Sequence, residues 1–203
     1  MDPRIASLLT AWFSPAPETQ ADIDRLVARW FASGPDGDRE IGRRFGPLAE
    51  SAALGELGHW RETPESRLAL ILLLDQLPRQ LHRGTAAAFA QDVQARALTM
   101  TGIESGMDRR LQSFERAFFY MPLQHSESLP DQELGVAKAK ALAEETGSPL
   151  IRKALEGFAK AARDHRDIIA RFGRFPHRNR YLGREDTPEE RAYLEGGAPT
   201  FGQ

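Results

Sequence analysis

The feature that most constrains this chain is an unbroken apolar run, Leu68 to Leu74, that follows Thr63-Pro64 and stops against Asp75. A hydroxyl residue before proline is a preferred entry into a helix. A helix that is apolar on every side must be buried by its neighbours. Seven apolar residues are far short of the ~20 needed to cross a bilayer. The run therefore predicts a central helix over 64–77 with other helices wrapped round it.

The rest of the sequence supplies those helices. Ser148-Pro149 and Thr187-Pro188 repeat the entry signal, and Glu190 completes a capping box with Thr187. Gly147 and Gly173 stand where helix C-terminal caps are expected. No Asn-Gly or Asp-Gly separates two alternating runs; Asp36-Gly37 lies in a polar stretch read as a loop, 33–38. Helices are predicted at 4–13, 19–32, 38–54, 64–77, 86–104, 111–124, 130–145, 149–172 and 188–195. Ala86, Phe89, Ala90, Val93, Ala97 and Met100 form one apolar face, and Ala154, Leu155, Phe158, Ala161, Ala162, Ile168, Ile169 and Phe172 form another. The expected fold is all-α, one domain over 1–203, with eight or nine helices.

Composition narrows the function classes. With 203 residues, 41% hydrophobic and 28% charged, the chain suits one globular domain, and its net charge of −2 offers no general attraction to nucleic acid or anionic membrane. It has no cysteine, which excludes disulfides, thiolate metal sites and cysteine nucleophiles. The opening MDPRIASLLTAWF has neither a basic lead nor a long apolar core, so a cytoplasmic location without a membrane partner is expected.

Polar chemistry collects in three segments. In LLLDQLPRQLHRGTAAAF, Asp75 ends the apolar run, and Arg79 lies four residues on, within reach of an ion pair. Pro78 is expected to end or kink the helix; Arg83 opens the next turn. In FERAFFYMPLQHSESLPDQE, Pro122 disturbs the helix and His125, Ser126 and Glu127 follow. Ser128 is a possible cap for the next helix. No Gly-x-Ser-x-Gly surrounds Ser126, so a serine triad is disfavoured.

The third segment is the most basic. Residues 151–184 carry ten Lys/Arg against three acids. Arg171, Arg174, Arg178, His177 and Asn179 cluster at the end of the helix closed by Gly173. Arginines beside aromatic residues suit bidentate recognition of carboxylate or phosphate, although Arg171 can equally pair with Asp167. His165 points inward within the apolar face of 149–172, either as a core histidine with one hydrogen bond or as a site residue. His125, Glu127, Asp164, His165 and His177 are metal-ligand types, but no His-x-x-x-His or His-Glu-x-x-His occurs and the arginines repel cations, so no metal or other cofactor is expected. Nucleic acid is disfavoured because aromatic residues are few in the basic stretch.

DQLPRQ (75–80), RGT (83–85), YMPLQHSE (120–127), DQE (131–133), HRDII (165–169) and RFGRFPHRN (171–179) make the chain similar to a bacterial family, "domain of unknown function 924". Its pattern reads approximately Asp-Gln-Phe-Pro-Arg-Asn, Arg-Gly-Thr, Tyr-Leu-Pro-Phe with His-Ser-Glu, Asp-Gln-Glu, His-Arg-Asp-Ile-Ile and Arg-Phe-Gly-Arg-Phe-Pro-His-Arg-Asn. Trp12-Phe13 and Trp30-Phe31 match its aromatic pairs. Leu77, Gln80 and Leu123 stand where the family has Phe, Asn and Phe. The resemblance implies a TPR-like superhelix of stacked antiparallel helical hairpins and no assigned activity.

These readings together favour a pocket for a small anionic ligand. Arg79, Arg83, Arg171, Arg174 and Arg178 would serve as charge partners, with Asp75 holding them. Asn179, Glu127, His125, His165 and His177 would orient the ligand. The alternatives are a hydrolase or phosphate-transferring enzyme with one of those histidines or Glu127 as acid–base, and a module that takes an acidic peptide. A homodimer is the default assembly.

Overall fold

Each hydroxyl–proline pair opens a helix in the computed structural model, which describes residues 2–202. Thr63, Ser148 and Thr187 accept hydrogen bonds from the backbone N–H groups of Ser66, Ile151 and Glu190. Gly173 closes its helix in the left-handed region, at φ 69°. At the other expected glycine cap, the helix ends on extended Thr146, one residue before Gly147. Ser128 holds a cap position without a side-chain bond.

The elements are α1 (Pro3–Phe13), α2 (Gln20–Phe31), α3 (Gly34–Ala53), α4 (Pro64–Ile71), α5 (Leu77–Leu81), α6 (Asp92–Glu104), α7 (Ser113–His125), α8 (Leu129–Glu145), α9 (Pro149–Phe172), α10 (Asn179–Leu182) and α11 (Pro188–Glu195). No strand occurs among the described residues. A π-helical turn, Leu72–Gln76, joins α4 to α5 as one rod, so ten helices pack together among the described residues, slightly more than sequence periodicity predicts.

That rod is the buried centre. Leu68, Ala69, Ile71, Leu72 and Leu73 have no exposed surface. Pro78 does not stop the helix. A proline clashes with the carbonyl four residues back, and the wider turn accommodates it: Leu77 N–H bonds to the Leu72 carbonyl, five residues back. Pro122 likewise sits inside α7.

An aromatic cluster ties the outer helices together. Phe118 of α7 lies 4.8 Å from Trp30 of α2, 5.8 Å from Trp12 of α1 and 6.0 Å from Phe158 of α9 between ring centres. Short connections such as 146–148 turn α8 and α9 into an antiparallel hairpin.

Three further segments differ from the sequence expectation. Helix α3 starts at Gly34, because Pro35 in the first turn extends it through the stretch read as a loop. The helix expected over 86–104 is a 3-10 turn (Ala86–Phe89) followed by α6, with Gln91 breaking the phase. Val93 consequently faces out, 80% exposed, and Ala95, Leu98 and Thr99 are buried instead. The polar stretch after Gly173 contains a 3-10 turn (Pro176–Arg178) and α10. No helix among the described residues is long and apolar enough to cross a membrane.

Candidate functional site

Asp75 is the natural starting point, because its carboxylate is wholly buried on the π turn. Burying an unpaired carboxylate is costly. Gln76 Nε2 donates to Oδ2 at 2.5 Å, His125 Nδ1 meets Oδ1 at 2.7 Å, and Arg79 Nη1 stands 3.5 Å from Oδ1. Burial opposes ionisation of Asp75, yet His125 and Arg79 hold its pKa down to about 2.

The i, i+4 pairing of Arg79 with Asp75 therefore exists but is the longer of two. Arg79 forms a two-pronged bond with Asp92, both contacts at 2.9 Å. Asp92 lies in the first turn of α6, where a carboxylate also favours the helix dipole. It receives Arg178 Nη1 at 3.3 Å as well. The guanidinium of Arg178 is sandwiched between Phe89 and Phe175, 4.6 and 4.3 Å from their ring centres, and donates to the His125 carbonyl at 3.0 Å. Burial pulls the pKa of Arg178 down to about 10.

A carboxylate only accepts hydrogen bonds, so His125 Nδ1 carries the proton and Nε2 presents a lone pair. Burial and the nearby Arg79 lower the pKa of His125. His165 lies on α9 with its ring 6.1 Å from that of His125. Its Nδ1 donates to the Ala161 carbonyl at 2.7 Å, which leaves its Nε2 as an acceptor too. Burial takes the pKa of His165 down to about 3.

Both imidazoles face a cavity of about 430 Å³. Trp30, Phe31, Met121, Phe158 and Phe201 supply much of its apolar wall; Gln76, Arg79, Gln80, Arg83, Gln124, His125 and His165 supply the polar wall. Among the described residues no aspartate or glutamate lines it. The tail closes one side. Phe201, in the left-handed region at φ 53°, stacks on His165 with ring centres 3.8 Å apart, and Arg83 donates to the Gly202 carbonyl and, at 3.1 Å, to Asp38.

The other sequence candidates lie elsewhere and have partners. Glu127 accepts from the Phe175 N–H at 2.9 Å and from both terminal nitrogens of Arg184 at 2.7 and 3.0 Å. Arg174 makes a two-pronged bond to buried Glu190 at 2.6 and 2.7 Å. Asn179 donates to Asp186 at 2.7 Å. Arg171 pairs with Glu189 at 2.9 Å rather than with Asp167, which Arg166 takes at 2.8 Å. His177 is buried between Phe175 and Phe201, and burial and Arg178 take its pKa down to about 4. Ser126 donates to Asp131 at 2.6 Å while His125 turns to Asp75, so the adjacent His and Ser do not form a triad. No cluster of three or more potential metal ligands occurs among the described residues.

Sequence reasoning missed Asp92, Gln76 and the aromatic wall. Asp92 escaped because a continuous helix over 86–104 places it mid-helix, whereas the phase break makes it a helix start facing two arginines.

The family model for a bacterial protein of unknown function, DUF924, matches residues 8–198. The chain belongs to this family. A solved structure titled as a protein of unknown function, ATU0120 from Agrobacterium tumefaciens, is 38% identical, with a TM-score of 0.78 over 95% of this chain and 97% of that one. No curated protein matches the chain. DUF924 membership thus rests on nearly the whole length, and it accounts for the long motifs that converge here: DQLPRQ and YMPLQHSE supply the Asp75–His125 contact, and HRDII supplies His165.

Proposed function

We propose that this DUF924 protein is a cytoplasmic binder of a small organic acid, with the acid's apolar body against the aromatic wall and its carboxylate at the arginine end. The composition of the cavity wall carries this reading: Arg79 and Arg83 face the space, no acidic side chain among the described residues does, and much of the remaining wall is apolar. A mostly apolar pocket with a few convergent polar groups is the usual form of a ligand site. Guanidinium groups suit carboxylates in particular.

Charge balance favours a monoanion over a phosphate. Arg79 is shared with Asp75 and Asp92, Arg83 with Asp38, and the two cavity histidines are neutral near pH 7. A compact cavity fits a small molecule better than an acidic peptide, which needs a long groove. Gln80 adds a side-chain amide whose Oε1 has no partner among the described residues. Arg171, Arg174, Arg178, Asn179, Glu127 and His177 are assigned to holding the segments beside the cavity.

Thermal-shift and calorimetric titration with straight-chain and aromatic carboxylates, the matching alcohols, inorganic phosphate and nucleotides tests this reading. Carboxylates should raise the midpoint and their alcohols should not. Removing one charge-assisted contact costs roughly 1.5–3 kcal/mol, so Arg83→Gln should weaken binding by roughly 10- to 100-fold. A flat response to every carboxylate, or equal binding of phosphate, overturns it.

A further inference from the structure

A buried carboxylate that served only to bridge a helix corner would place its shortest charged contact on the guanidinium. Asp75 does the opposite. It stands 2.7 Å from His125 and 3.5 Å from Arg79, while Arg79 gives its two-pronged bond to Asp92. The π turn thus aims Asp75 at an imidazole. That imidazole lines the cavity, and its ring is fixed by the carboxylate on one side with Nε2 unpartnered among the described residues. A second imidazole, His165, faces it at 6.1 Å with its own Nδ1 tied to Ala161. Ring centres 6.1 Å apart leave room for one water hydrogen-bonded to both imidazoles.

We propose that His125 is a general base, positioned by Asp75, and that the protein hydrolyses carboxylic esters whose acyl group fits the apolar wall. This rests on the organic-acid pocket, since the acid is the product. Water adds through oxygen to the acyl carbon as His125 Nε2 takes its proton. The tetrahedral intermediate then collapses, the acyl C–O bond breaks, and protonated His125 returns the proton to the departing alkoxide. The net change is ester plus water to acid plus alcohol. His165 accepts the second hydrogen bond of the attacking water. Arg79 and Arg83 complement the negative charge that builds on the carbonyl oxygen and remains on the product.

The groups facing His125 are Asp75 and Arg79 on the central rod, Asp92 on α6, His165 on α9 and Arg178 on the 3-10 turn before α10. Burial and Arg79 favour neutral His125, the form a base needs at pH 7.

p-Nitrophenyl esters from acetate to decanoate, offered to the full chain, test the proposal. Saturable release with a preferred acyl length, inhibited by the matching free acid, is expected. His125→Gln should lower kcat by about 100-fold or more, the usual scale for a general base, with helix content and a cooperative melt retained. Asp75→Asn should lower kcat with KM changed less than about threefold, and should move the acid limb of the pH–rate profile to lower pH. If that variant does not fold, His125→Gln alone decides. Release no faster than the uncatalysed rate, or His125→Gln as active as the parent, overturns the hydrolase. Acid-induced thermal shifts in the same samples would then leave the pocket standing. Turnover without any acid-induced shift would instead overturn the pocket and keep the base.

Discussion

Three buried histidines set the acid sensitivity of this molecule. His125, His165 and His177 all have pKa values lowered by burial, to about 3 for His165 and about 4 for His177. An unfolded histidine titrates near about 6.5. Between those values the unfolded chain binds more protons than the folded one, so stability falls as the pH drops. Asp75 and Glu190, both held near 2, add their loss only below about pH 4.5, the ordinary carboxylate range. The window from about pH 6.5 to 4.5 therefore belongs to the histidines, with His165 and His177 each contributing up to about 1.4 kcal/mol per pH unit. The melting temperature should be level above pH 7 and fall through that window, and His165→Gln should reduce the slope. A parallel slope in that variant would show that His165 titrates normally in the fold. At this scale the sequence is informative about residue types and near pairs such as Asp75–Arg79, and silent about partners from distant segments. His165 could be placed inward from its 3.6-residue phase, and its bond to Ala161 lies within the same helix, four residues back, but its stacking on Phe201 joins positions about 36 residues apart.

Among the elements, the central rod shows how a local rule can be met in an unexpected way. Periodicity and the apolar run located the helix, and Pro78 signalled a disturbance; nothing in the run distinguishes a kink from a π turn. The choice follows from tertiary demands, because the turn lets the helix continue to Leu81 and brings Asp75 to His125. Gly147 and Ser128 do not cap as their sequence positions suggest, but the hydroxyl–proline caps were legible because they depend on residues three apart. The 86–104 segment was not, because its phase break at Gln91 is rewarded only by Arg79 and Arg178, which come from elsewhere. Helix α11 offers a test. It is fastened by Glu190, which accepts from Arg174, from the Thr187 N–H at 2.8 Å and weakly from Asn179. Glu190→Ala should speed amide exchange in α11 and α10 well before global unfolding; unchanged protection there would show that apolar contacts suffice. In α6, a Cβ on Gly102 would come 2.4 Å from Phe119 Cζ and 2.9 Å from Arg67 Cδ. Gly102→Ala should therefore destabilise by about 1–3 kcal/mol, measured by denaturant unfolding, despite the better helix propensity of alanine.

For the molecule as a whole, the aromatic cluster does what no single hairpin could. Phe118 is fully buried at the meeting point of α1, α2, α7 and α9. Phe118→Ala should cost about 3–5 kcal/mol and lower the midpoint of the single cooperative transition; two separated transitions would mean the N-terminal helices fold apart from the rest. The same cluster forms part of the cavity wall through Trp30 and Phe158, so fold and site share residues. The all-helical class was readable from caps and periodicity, whereas the cavity was not, because a hollow is defined by what distant helices leave between them. The tail carries a practical lesson of its own. Phe201 and Gly202 are built into the rim beside His165 and Arg83, so a substitution within 199–202 would reshape the doorway without touching any helix.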